Sequence, residues 1–254
     1  MSNVVNGPWV ETVVEEPWVE ARPPYLFHYV RLRTEEQLGW LERLLLANEI
    51  YARSLFDLNP IFDVRTMEFN TWHGGPVTGL CPETERGRSS NGVDSSGPTG
   101  DRFGRLGVVC LSEHQNSVAV WRNQGDRQRG ACLRFVTAAS VFEKTLLLPV
   151  HYAHDASVLG KVLGPDLAWA MRTVLTKPPG LKDEAEWRWL LPGRAGTHTK
   201  IDPLMIDGVV FGPLMPDGLR ARVREIVSQR FAPTALYRTE IDPKTLQVAV
   251  LPTG

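Results

Sequence analysis

The stretch that most constrains the fold runs from residue 107 to residue 135. It opens G-V-V-C-L-S-E-H (107–114) and continues V-A-V-W-R-N-Q-G-D-R-Q-R-G-A-C-L-R-F (118–135). Residues 106–111 are apolar, β-branched and too few for a helix, which predicts a buried strand. That strand ends in three polar side chains, Ser112, Glu113 and His114. Trp121 and Arg122 follow on a short helix, Gly125 and Gly130 bracket a charged turn, and residues 131–135 read as a second buried strand. Two buried strands ending beside polar groups can floor a site. The same residues also describe two core strands joined by a solvated loop, the commoner arrangement.

Composition narrows the class. The chain has 254 residues, 43% hydrophobic and 22% charged, enough to build a core. We read residues 1–22 as an extended arm and 23–254 as a single α+β domain with a flexible insertion at 71–104. The formal charge is −1, so net charge gives no support to broad electrostatic binding of nucleic acid. Cys81, Cys110 and Cys132 lack C-x-x-C spacing, which argues against a zinc ribbon or disulfide scaffold and suits a reducing compartment. The N-terminus is acidic and carries no apolar leader, and nothing approaches the roughly 18 apolar residues of a membrane helix. The expectation is a cytoplasmic protein with no membrane partner.

Along the chain, Pro8-Trp9-Val10-Glu11 and Pro17-Trp18-Val19-Glu20 repeat a motif in the extended arm, which packs on the domain or serves a partner protein. Residues 25–33 alternate as a strand, with Leu26, His28, Val30 and Leu32 on one face and Phe27, Tyr29, Arg31 and Arg33 on the other. Thr34 and Gln37 form a capping box for a helix buried through Leu38, Leu41, Leu44 and Leu45. A strand at 49–55 follows. Asp57 and Asp63 flank a turn, where they hold backbone amides or a ligand hydroxyl. Residues 71–104 are dense in Gly, Ser, Thr and Pro, and Trp72-His73-Gly74-Gly75 is the part suited to a ligand. Further strands are predicted at 145–153, 183–191, 206–211, 235–241 and 246–251, with helices at 165–177 and 216–230. In the 183–191 strand, Glu184, Glu186 and Arg188 share one face and Trp187 and Trp189 the other. Carboxylates on a strand face must be solvated, paired or used, and Glu186 beside Arg188 predicts a salt bridge. There is no P-loop, no G-x-G-x-x-G, no G-x-S-x-G and no H-E-x-x-H, and the six histidines show no metal-ligand spacing.

The order of these blocks resembles a bacterial family, domain of unknown function 2971. The shared blocks are the aromatic strand at 26–33, the turn Asn59-Pro60-Ile61-Phe62-Asp63 and the G-x-x-C-x-S strand at 107–112. They continue with Trp121, Asp126 and Gly130, then Val150 and Tyr152, then Glu184, Glu186, Trp187 and Arg188, and finally the strand at 209–212. Gln124 and Gln128 depart from the family's tyrosine and histidine. A looser similarity links the same order of parts to ADP-ribosyltransferases. That resemblance implies a split β-sheet core flanked by three to four helices, and NAD as substrate with no metal. It implies Glu186 as the catalytic carboxylate, stabilising the oxocarbenium-like cation left when nicotinamide departs. It implies His28, Tyr29, Arg31, Ser112, Trp121 and Arg122 as cofactor-binding residues, with Asp63, Glu184 and Arg188 as further candidates. Arg127 and Arg129 would join Arg122 on the diphosphate. The expected role is a toxin or antiviral-defence effector that modifies protein or nucleic acid. The rivals are a catalytically silent nucleotide- or partner-binding protein, and a metal-dependent nucleic-acid-processing enzyme using Asp57, Asp63, Glu184 and Glu186.

Overall fold

The structure, a computed structural model, describes residues 22–54, 58, 105–137, 146–152, 174–245 and 247–253. Residues 1–21 of the N-terminal arm, Asp57, Asp63 and the 71–104 insertion lie outside the described residues. The elements are β1 (Tyr25–Val30), α1 (Glu35–Leu46), β2 (Glu49–Ser54), β3 (Gly107–Ser112), α2 (Val118–Asn123) and β4 (Ala131–Val136). They continue with β5 (Leu146–Pro149), β6 (His151–Tyr152), β7 (Thr176–Lys177), β8 (Glu186–Leu191), β9 (Thr197–Lys200) and β10 (Ile206–Phe211). The described chain closes with α3 (Asp217–Ser228), β11 (Ala235–Ile241) and β12 (Val248–Pro252).

The fold is mixed α and β around one open, mostly antiparallel sheet in the order β12-β11-β10-β4-β1-β3-β2-β9. β10 and β11 are its parallel pair. The sheet branches at β3, which has three partners. On one edge it pairs along its whole length with β8, Gly107 opposite Leu191 through Ser112 opposite Glu186. On the other edge it meets β1 through Phe27 opposite Ser112, and β2 through Arg53 opposite Val108 and Ser54 opposite Gly107. β1 and β2 therefore diverge, and the Cys110 carbonyl faces the gap between them. His28 fills that gap, its Nδ1 lying 2.9 Å from the Cys110 oxygen.

Side-chain alternation along each strand builds two faces. One carries a continuous core: Leu26, Val109, Leu111, Leu133, Phe135, Trp187, Trp189 and Val209, covered by α1 and α3. α1 starts as its sequence predicts, with Thr34 Oγ1 accepting from the Gln37 amide at 3.2 Å and Gln37 Oε1 accepting from the Arg33 amide at 2.7 Å. The other face carries two separate apolar clusters. Val108, Leu148, Leu190, Val174 and Leu175 form one; Phe27, Tyr29, Val120, Trp121, Cys132 and Val210 form the second. Polar side chains occupy the seam between them.

Four expectations need correction. The first strand ends at Val30 rather than 33, because Leu32 turns inward to the core ahead of the α1 cap. The helix expected to reach Lys177 gives way at Thr176 to the short strand β7, which pairs in parallel with β6. The strand expected from 183 starts at Glu186, since 179–184 winds as a 3-10 helix behind two prolines. β9 was not expected, because T-H-T-K carries little apolar pattern; backbone pairing with β2 holds it.

Candidate functional site

The seam centres on Glu186. Its backbone lies opposite Ser112, and cross-strand partners project to the same face, so Glu186, Ser112 and Phe27 share it. The Glu186 side chain is 2% exposed and both carboxylate oxygens are taken. Arg188 Nε donates to Oε1 at 2.7 Å, and Lys177 Nζ donates to Oε2 at 2.5 Å. Lys177 also donates to Glu184 Oε2 at 3.0 Å. Ala185, left-handed at φ 40°, turns the chain sharply enough for both glutamates to reach one ammonium group. The remaining contacts close the cluster. The Glu186 amide donates to the Tyr152 hydroxyl at 2.8 Å, and an Arg188 Nη1–H bonds the Val174 carbonyl.

Two cations and two carboxylates make this cluster formally neutral. Burial alone would push the Glu186 carboxyl up; Arg188 and then Lys177 overcome that and hold it at about 2. Burial opposes the Lys177 ammonium, but Glu186 outweighs it and the group titrates above its ordinary range. Burial pushes the neighbouring Cys110 thiol up to about 12, and the Glu186 charge adds to that. Cys110 is thus a neutral thiol rather than a nucleophile.

Ser112 joins through the backbone. Its hydroxyl donates to the Glu184 carbonyl at 2.7 Å and accepts the His114 amide at 3.1 Å. Tyr29 and Trp121 lie on the same face of the sheet but inside the second apolar cluster. Their rings meet edge to face at 4.9 Å, the Tyr29 hydroxyl donates to the His114 carbonyl at 2.6 Å, and Trp121 Nε1 donates to the Gln115 carbonyl at 2.8 Å. Trp121 is fully buried, which gives it the environment of a core residue. His28 lies on the opposite face, its ring edge-on to Phe135. Burial drops its pKa to about 4, so the imidazole is neutral at physiological pH. Among the described residues no group of three His, Cys, Asp or Glu is placed to hold a metal ion.

The structure therefore brings together Ser112, Glu184, Glu186 and Arg188, and sets Tyr29 and Trp121 beside them in the core. Arg31 and Arg122 lie elsewhere, at the end of β1 and of α2, where Arg31 Nη2 donates to the Asn123 carbonyl at 3.0 Å. Asp63 lies outside the described residues. Lys177 is the member of this cluster that the sequence reading does not contain. Charge balance held the signal: two glutamates and one arginine on a buried strand leave one carboxylate uncompensated, which calls for a second cation nearby.

The arginines form a second charged group. After α2 the chain turns through Asp126, Arg127 and Gln128 at φ 54°, 51° and 71°, three consecutive left-handed residues without glycine. Asp126 is buried and ion-paired to Arg33. Arg122, Arg127 and Arg129 project to solvent.

No family model, no curated protein and no solved structure matches the chain.

Proposed function

We propose that this chain is a non-catalytic binding protein, and that its ligand is a phosphate-bearing partner held by the arginines around the 122–130 turn. One observation carries this reading: Glu186, the carboxylate best matched to catalysis, is buried with both oxygens bonded to fixed cations. A carboxylate that stabilises a developing cation must face the reacting centre with its charge uncompensated. Glu186 instead faces Lys177 and Arg188, and Ser112, Tyr29 and Trp121 spend their polar atoms on backbone carbonyls. The seam then works as a structural clamp between β3, β7 and β8, and the exposed arginines carry the binding.

The opposite reading, an NAD-using ADP-ribosyltransferase-like enzyme, is favoured by the register that sets Ser112 directly across from Glu186. It requires Lys177 to leave Oε2 when NAD enters. Incubation with labelled NAD separates the two. The binding reading predicts no nicotinamide release by the wild type with or without cell lysate. Release that disappears in Glu186→Gln, with NAD affinity kept, would establish the enzyme instead. The metal-dependent rival is disfavoured by charge at its glutamates, since Lys177 and Arg188 already hold Glu184 Oε2 and both Glu186 oxygens; its other two carboxylates, Asp57 and Asp63, lie outside the described residues.

A further inference from the structure

Five arginines meet at one end of the sheet. Val30 and Phe211 are both strand partners of Ala131, so the ends of β1 and β10 and the start of β4 share an edge. Arg31 and Arg33 leave that edge after β1; Arg122, Arg127 and Arg129 surround it from α2 and the left-handed turn. Asp126 is the one carboxylate within the turn, and Arg33 already holds it. Five guanidinium groups stand against Asp126 here, while Glu35 and Glu36 follow Arg33 in the first turn of α1, where Arg222 holds Glu35. Arg122, Arg127 and Arg129 take part in no ion pair among the described residues. Among the described residues no ion pair offsets their mutual repulsion.

The backbone beneath them is fixed. Left-handed conformation is unfavourable for a non-glycine residue, and it persists where the surroundings over-determine it. Here the Gln128 amide donates to the Trp121 carbonyl at 3.0 Å, the Leu214 amide to the Gln128 carbonyl at 2.9 Å, and the Gly212 amide to the Gly130 carbonyl at 3.0 Å. A Cβ at Gly130 would collide with the Val30 oxygen, and one at Gly212 with the Gln128 oxygen. The main chain bonds inward and the arginines point outward from a rigid base.

Resting on the phosphate-binding reading above, we propose that this end docks the sugar–phosphate backbone of a nucleic acid. The cations are all arginine, whose planar fork binds phosphate oxygens in pairs and stacks on bases. The side chains interleaved with them, exposed Asn123 and half-buried Gln124 and Gln128, are amides suited to phosphate and base edges rather than to an apolar protein interface. The charges are spread over separate segments, which fits successive phosphates along a strand better than a single mononucleotide.

The test is fluorescence anisotropy of the full chain with a labelled single strand and duplex of about 20 nucleotides across a salt series. The expected result is salt-dependent binding that weakens by about tenfold or more in the Arg122→Glu, Arg127→Glu, Arg129→Glu triple variant, with the salt slope shallower by about three. The Gln triple variant, which neutralises without reversing charge, gives the same direction and covers the case in which the Glu variant fails to fold. Lys182→Glu, in the 3-10 helix before β8, leaves binding unchanged. Unaltered affinity in both triple variants overturns the proposal, as does binding of poly-glutamate with none of the oligonucleotides. Arginine-dependent binding of ADP or NAD without oligonucleotide binding overturns the nucleic-acid assignment and leaves the phosphate-binding reading intact. If neither oligonucleotide nor mononucleotide binds, both fall.

Discussion

Two charged regions of this protein treat charge in opposite ways. In the seam, Lys177, Glu184, Glu186 and Arg188 are buried, balanced and bonded to one another. At the turn, Arg122, Arg127 and Arg129 are exposed and form no ion pair among the described residues. The seam contains the residue types of a catalytic site, yet every one of its charges is answered from within. At the turn, no carboxylate among the described residues pairs with Arg122, Arg127 or Arg129. Charge type alone does not separate the two regions; whether the fold neutralises that charge does.

That contrast breaks first, and hardest, at Arg188. Replacing it with Ala leaves the buried Glu186 with one cation and the Val174 carbonyl without its donor. The expected loss is about 3–5 kcal/mol of unfolding free energy in urea titration. A loss under about 1 kcal/mol would mean that the seam is hydrated and open, which would favour the enzymatic reading. At the turn, Gly212→Ala forces a methyl group against the Gln128 carbonyl and should cost about 1–3 kcal/mol in the same assay. Full tolerance would show that the left-handed turn is not fixed.

Acid sharpens the comparison. The folded pKa of His28 lies at about 4, below its ordinary 6.5, because burial disfavours the imidazolium. The unfolded chain takes up that proton first. His28 therefore adds no pH dependence above about 6.5, and destabilises progressively as pH falls from there to about 4. Its half-buried position keeps the effect to roughly 1–3 kcal/mol. Glu186, held at about 2, adds a separate loss below its ordinary 4.5. Thermal melting of His28→Gln should lose the first phase and retain the second; an unchanged profile would remove the His28 assignment. The smallest effect belongs to the exposed arginines. Arg122→Ala, Arg127→Ala and Arg129→Ala should each change stability by less than about 0.5 kcal/mol while weakening oligonucleotide binding. A larger loss in melting would recast them as structural.

Much of the architecture is legible in the order of residues alone. The 3.6-residue period of Leu38, Leu41, Leu44 and Leu45 with the Thr34 cap locates α1, period-2 alternation locates β1 and β8, and short apolar runs locate β3, β4 and β10. The Glu186–Arg188 salt bridge also follows from residue types. β7 does not: two residues hold no period, and Thr176 and Lys177 form a strand because β6 supplies the partner.

By itself the sequence determined which residues are buried together on each element, since local period and turn chemistry act within a few residues. Only the tertiary structure decided what those residues are free to do. Lys177 meets Glu186 through the pairing of β7 with β6 and the turn at Ala185, and the arginines converge because β1, β4 and β10 end at one edge. Such meetings depend on strand register between distant segments, and register sets which charges end up paired and which remain open to solvent.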